Sequence, residues 1–98
     1  MRHTIRTLDE LAEPNRQRAK VRYRFGPQMP WQFAMLAGNE PHQFTGFNGG
    51  FGYTAHKEVS RGVHADTLFT DRGFANGLEV QLATDEEAQG KEWSYGYR

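Results

Sequence analysis

Five cations occupy every second position from residue 16 to residue 24: Arg16, Arg18, Lys20, Arg22 and Arg24. Gln17, Ala19, Val21, Tyr23 and Phe25 alternate with them. A β-strand sends successive side chains to opposite faces, so an extended segment here carries all five charges on one face, over about 27 Å at ~3.4 Å per residue. A helix would scatter the same charges around its circumference, and Val21, Tyr23 and Phe25 favour a strand. The chemistry open to such a face is electrostatic. Regularly spaced Arg and Lys displace counterions from a nucleic acid, or meet another acidic surface. Two structural readings compete with this: charge that keeps an exposed sheet edge soluble, and a stripe covered by the acidic part of the same chain.

A second cluster mixes glycine with aromatics: Phe44, Gly46, Phe47, Asn48, Gly49, Gly50, Phe51, Gly52 and Tyr53. Its end, Gly50-Phe51-Gly52-Tyr53-Thr54, resembles the core of the RNP1 motif of RNA-recognition domains. It is also similar to the Gly-Phe-Gly-aromatic segment of cold-shock domains. The likeness covers about five to eight residues. It departs from RNP1 at Gly49, where Lys or Arg is usual, and at His56, where a final aromatic is usual. The resemblance implies that Phe51 and Tyr53 stack on unpaired bases. Alternation alone puts Phe51, Tyr53 and Ala55 on one face, which equally suits burial in a core.

The remaining reactive side chains form no constellation. His3, His42, His56 and His64 have no metal-ligand spacing, and His64 with Asp66 on one strand face falls short of a site. Ser60 and Ser94 lie in no nucleophile elbow, and there is no phosphate loop. Glu86 and Glu87 read as helix-start charges. With no cysteine, disulfides, cysteine zinc sites and thiol nucleophiles are excluded. No enzyme, cofactor or metal is expected.

The elements that position these residues are short. Thr7-Leu8-Asp9-Glu10 fits a capping box, and Pro14 is expected to stop the helix after roughly two turns. Gly26-Pro27-Gln28-Met29-Pro30 is a turn between the basic strand and a second strand over 31–36. Segments 43–47 and 51–59 flank Asn48-Gly49-Gly50, and Asn-Gly predicts a type I′ hairpin with positive φ at Gly49. Residues 63–70 read as strand, and a loop runs between Asp71-Arg72-Gly73 and Asn76-Gly77. Leu78-Glu79-Val80-Gln81-Leu82 alternates cleanly, which predicts Leu78, Val80 and Leu82 inside with Glu79 and Gln81 outside. Thr84-Asp85-Glu86-Glu87 is a second capping box. Residues 93–97 read as an edge strand or a tail docked by its aromatics.

The pattern predicts an α+β fold: a small antiparallel sheet of about four to six strands with one or two short helices. At 98 residues a single domain spanning 1–98 is expected. No apolar run approaches the ~20 residues of a membrane span, and no signal peptide is recognised, so a cytoplasmic location without membrane contact is expected. The net charge is zero, but through Pro30 seven Lys/Arg face three Asp/Glu, and beyond it five face nine. Such segregation suits a bipolar surface or halves that pair with each other.

These features predict a non-enzymatic binding module. Its basic strand (Arg16, Arg18, Lys20, Arg22, Arg24), helped by Phe51 and Tyr53, would meet nucleic acid or another acidic surface. The alternative is a small protein-interaction module or inhibitor, of the kind phages and mobile elements carry, acting on a partner protein.

Overall fold

A computed structural model describes residues 2–46, 49–60 and 63–88, with the backbone alone for 58–60, 63, 64 and 88. After a 3-10 turn at Asp9–Leu11 come α1 (Ala12–Arg16), β1 (Lys20–Phe25), β2 (Gln32–Leu36), β3 (His42–Phe44), β4 (Gly50–Ser60), β5 (Val63–Thr70), α2 (Asp71–Ala75), β6 (Leu78–Leu82) and α3 (Asp85–Ala88). Among the described residues, six antiparallel strands with three short helices, one more helix than expected, make the α+β fold that the turn-punctuated pattern predicts. The expected strand over 93–97 lies outside the described residues.

The sheet is organised around the long β4. On one edge β4 pairs with β5, from Gly52 with Thr70 to Ser60 with Val63. Its other edge takes two strands in succession, β3 at Gly50–Gly52 and β2 at Ala55 and His56. β2 then pairs with β1, and β1 with β6. Ile5 closes the far side by exchanging backbone hydrogen bonds with Val80. Curled in this way, the sheet packs its inner face on itself. Val21 and Tyr23 of β1, Ala34 and Leu36 of β2, Tyr53 and Ala55 of β4, Phe69 of β5, and Leu78 and Val80 of β6 are buried there with Ile5 and Leu11. The Tyr23 and Phe69 rings meet edge-on at 5.1 Å.

Local chemistry sets the element ends. Pro14 sits inside α1 rather than ending its helix, because it falls in the first turn, where a missing N–H costs no hydrogen bond. The residues expected to be a loop after β5 form α2 instead. Thr70 caps this helix, its hydroxyl accepting from the Gly73 N–H at 3.0 Å. The second capping box forms as read: Thr84 Oγ1 accepts from Glu87 N at 3.1 Å, and Glu87 Oε1 from Thr84 N at 2.9 Å. β3 and β4 pair as the hairpin predicted, but positive φ falls at Gly46 and Gly50 and not at Gly49, so the turn chemistry is shifted. Asn48 lies outside the described residues.

Two expectations of strand register need correction. β1 begins at Lys20, so the basic strand is shorter than its charge pattern. In β6, Leu78 and Val80 are buried but Leu82 is 49% exposed. Alternation fixes the side to which a residue points. Leu82 ends its strand and only borders a shallow cavity with Ile5 and Pro14.

Candidate partner interface on the outer sheet face

The five cations of the sequence pattern do not share a face. Arg16 belongs to α1, where its guanidinium pairs with Glu13 at 2.6 Å. Arg18 turns the chain into β1 with φ 51°, a left-handed conformation that breaks any extended run. Three remain on the outer face of β1: Lys20, Arg22 and Arg24.

Register decides what these three meet. Across the β1–β6 ladder Arg24 is paired with Glu79 and Arg22 with Gln81. Arg24 Nε donates to Glu79 Oε1 at 2.7 Å, and Arg22 donates twice to Gln81 Oε1, at 2.9 and 2.6 Å. α3 adds Asp85, 3.2 Å from the Lys20 ammonium, and Glu87, 3.7 Å from Arg22. The N-terminal segment joins from the other side: Arg6 pairs with Glu79 at 3.1 Å and Arg2 with Glu87 at 2.6 Å. Four guanidiniums thus share two carboxylates, each carboxylate bridging a pair. Glu79 is 8% exposed although it faces outward, because Arg24 and Arg6 cover it.

The electrostatics follow. Hydrogen bonding from Arg24 holds the Glu79 carboxyl below its usual range, with Arg6 adding to the effect and burial opposing it. Glu87 is held down to about 2, chiefly by Arg2 and then by the Thr84 N–H. Burial, with Arg2 and Arg24 nearby, lowers the Arg22 guanidinium from its usual value, and Glu87 opposes this.

Trp31 completes the surface. It precedes β2, and its ring lies under both guanidiniums, 4.3 Å from Arg22 and 4.2 Å from Arg24 to the ring centre. Each such contact is worth ~0.5–1 kcal/mol when exposed and ~2 kcal/mol when desolvated. Trp31 is not among the residues that charge spacing singles out. The signal was present in the turn: a short hairpin between the basic strand and the 31–36 strand places the first residue of the second strand beside the last cations of the first. Phe33 and Met35 follow at the same alternation, in register with Arg22 and Lys20.

The glycine and aromatic cluster divides. Phe51 is 41% exposed, whereas Tyr53 is 7% exposed and belongs to the core, so Tyr53 offers no ring to a base. The pair suggested by the RNP1 likeness is therefore not presented together. His56 meets Asp66 across β4 and β5 at 2.8 Å, a cross-strand pair the spacing did not reveal. The His64 side chain lies outside the described residues. Among the described residues no group of three or more His, Cys, Asp or Glu could hold a metal, and no helix is long and apolar enough to cross a membrane.

No family model, curated protein or solved structure matches this chain.

Proposed function

We propose that this chain is a non-enzymatic interaction module that docks on an acidic surface of a partner protein through the outer sheet face around Trp31. The observation that carries this reading is the Arg22–Trp31–Arg24 stack, set in a field where four guanidiniums share two carboxylates. Trp and Arg are enriched among the anchor residues of protein interfaces. Pre-pairing with Glu79, Gln81 and Glu87 holds the guanidiniums in place, which lowers the ordering cost of docking. The same pairing counts against tracking a phosphate backbone, which must displace the internal partners without adding apolar contact on Trp31, Phe33 and Met35. Excess positive charge over the two bridging carboxylates favours an acidic partner.

Capture by in-cell cross-linking with wild-type protein and a Trp31→Ala variant tests this. A protein cross-linked by the wild type and lost in the variant, with both chains showing the same circular dichroism, is the expected result. Equal capture by both, or none by either, removes this face from the function.

A further inference from the structure

A second surface stands apart from the Trp31 face. β5 pairs with β4 on one edge, and among the described residues its other edge has no strand partner. Every second residue along that edge turns its N–H and C=O outward, and these groups need a hydrogen-bonding partner. Natural sheets usually blunt such an edge with lysine, proline or a bulge. Residues 65–70 read Ala-Asp-Thr-Leu-Phe-Thr, with neither lysine nor proline, and the one register shift of the β4–β5 pair lies at the far end, between Glu58 and Ser60.

Beside this stretch lies a cleft of about 330 Å³. Asp66, Leu68 and Thr70 of β5 line it together with Phe25, Arg72 and Asn76. Phe25 alternates with the buried Val21 and Tyr23 but ends β1 and is 47% exposed, its ring meeting Tyr23 edge-on at 6.2 Å. The carboxylates nearby are already engaged. Asp66 meets His56 on the outer face, and Asp71 Oδ1 accepts the backbone N–H groups of Phe51 and Arg72. The Arg72 guanidinium is exposed and has no carboxylate partner among the described residues.

We propose that the edge of β5 that has no strand partner among the described residues binds an extended peptide by strand addition, with an apolar side chain of the peptide seated on Phe25 and a carboxylate meeting Arg72. Backbone pairing supplies the contact along the edge, and the cleft selects one side chain, which is how strand addition divides affinity from specificity. The cleft volume, near the lower end of ligand sites at ~300 Å³, suits one large side chain and not a whole ligand. The occupant is acidic because Arg72, at this cleft, has no carboxylate partner among the described residues.

The test uses the full chain, labelled with nitrogen-15, and a terminally blocked heptapeptide of alternating valine and glutamate with a central phenylalanine. The expected result is saturable shifts of the amides at residues 65–70 and slowed hydrogen exchange at every second one. Phe25→Ala should weaken binding about tenfold or more, as loss of an aromatic contact implies. Arg72→Glu should weaken it too, and should favour a version of the peptide with lysine in place of glutamate. A peptide N-methylated at alternate residues should not bind. Absence of saturable shifts at β5, or equal binding of the N-methylated peptide, overturns the proposal. So does protection of the same amides that rises with protein concentration alone and accompanies a sedimenting dimer, which would give the edge to a second copy of the chain.

Discussion

Arg24 and Glu79 are direct cross-strand partners between β1 and β6, with Nε 2.7 Å from Oε1. Through this contact and its neighbours the basic opening third of the chain meets the acidic remainder. Seven cations against three acids through Pro30, then five against nine, is a segregation in sequence that the fold partly cancels in space. The cancellation has a register. Arg22, Arg24, Glu79 and Gln81 all point outward because Val21, Tyr23, Leu78 and Val80 must point inward.

Glu79→Gln keeps the shape of the side chain and removes its charge, leaving Arg24 and Arg6 with a neutral acceptor. The expected cost is about 1–3 kcal/mol, the range for losing a charged hydrogen bond. Urea denaturation of Glu79→Gln, of Arg24→Gln and of the double variant measures the coupling. Additive losses would show that the bridge contributes no stability of its own.

Stability should fall on acidification. Glu79 and Glu87 carry lowered carboxyl pKa values in the fold, Glu87 at about 2, as do Glu10 beside His3 and Glu13 beside Arg16. A carboxyl whose folded value lies below its unfolded value, ~4.3 for glutamate, contributes stability that is complete above the unfolded value and disappears as pH falls through the folded one. The melting temperature should therefore decline from about pH 4.5 toward pH 2. Glu87→Gln should flatten the lower part of that decline, and an unchanged slope in the variant would remove Glu87 from it.

Much of the sheet was legible in the sequence. Alternation located β1 and β6, and turn residues placed β2 and the β3–β4 hairpin. The limits have physical causes. The charge pattern continued two positions past the strand because alternation is a property of side chains, while the strand ends where Arg18 adopts φ 51°. α2 was hidden because Arg72-Gly73 reads as a turn, and its five-residue helix rests on the Thr70 cap. The candidate interface was half legible. Lys20, Arg22 and Arg24 could be named from spacing, but their partners depend on strand order, which one sequence does not encode locally. Tyr53 and Phe51 share a face by alternation, but only Tyr53 reaches the core cluster, where Phe69 is its partner across β4 and β5.

The difference between Leu78 and Leu82 can be measured directly. Leu78 is buried within the core, and Leu78→Ala should cost about 2–5 kcal/mol. Leu82→Ala, at a half-exposed strand end, should stay within ~0.5 kcal/mol, as surface changes usually do. Comparable losses at both positions in chemical denaturation would mean that Leu82 is covered in solution.

Gly52 is where three strands converge, paired with His42 on one side and Thr70 on the other. A Cβ built there would lie 2.1 Å from the Phe69 carbonyl oxygen and 2.6 Å from Thr70 Cα, both backbone atoms that cannot rotate away. Gly52→Ala must therefore push β5 off β4, at a cost of about 1–3 kcal/mol or more. Thermal melting should show the loss, and amide exchange should rise first along β5. A neutral substitution would mean that the two strands sit further apart than described.

The proposed partner face makes a contrary prediction about nucleic acid. If Lys20, Arg22 and Arg24 tracked a phosphate backbone, affinity for oligonucleotides would fall with salt at a slope near −0.7 to −0.9 per phosphate engaged. Here Arg22 already donates twice to Gln81 and Arg24 to Glu79, and their side chains are only 22% and 23% exposed. Engaging phosphate means exchanging one acceptor for another, and a phosphate backbone, unlike a protein surface, adds no apolar contact on Trp31 to offset that exchange. Titration of labelled single- and double-stranded oligonucleotides at low ionic strength should show no saturable binding. Reversing Arg22 to glutamate is a poor probe, because it sets a second carboxylate against Glu87 and should destabilise the fold. Trp31→Ala is the better one: it removes the ring beneath both guanidiniums and leaves the pairs with Glu79 and Gln81 in place. Saturable, salt-dependent oligonucleotide binding that Trp31→Ala weakens would return this face to a nucleic-acid partner and end the protein-docking proposal.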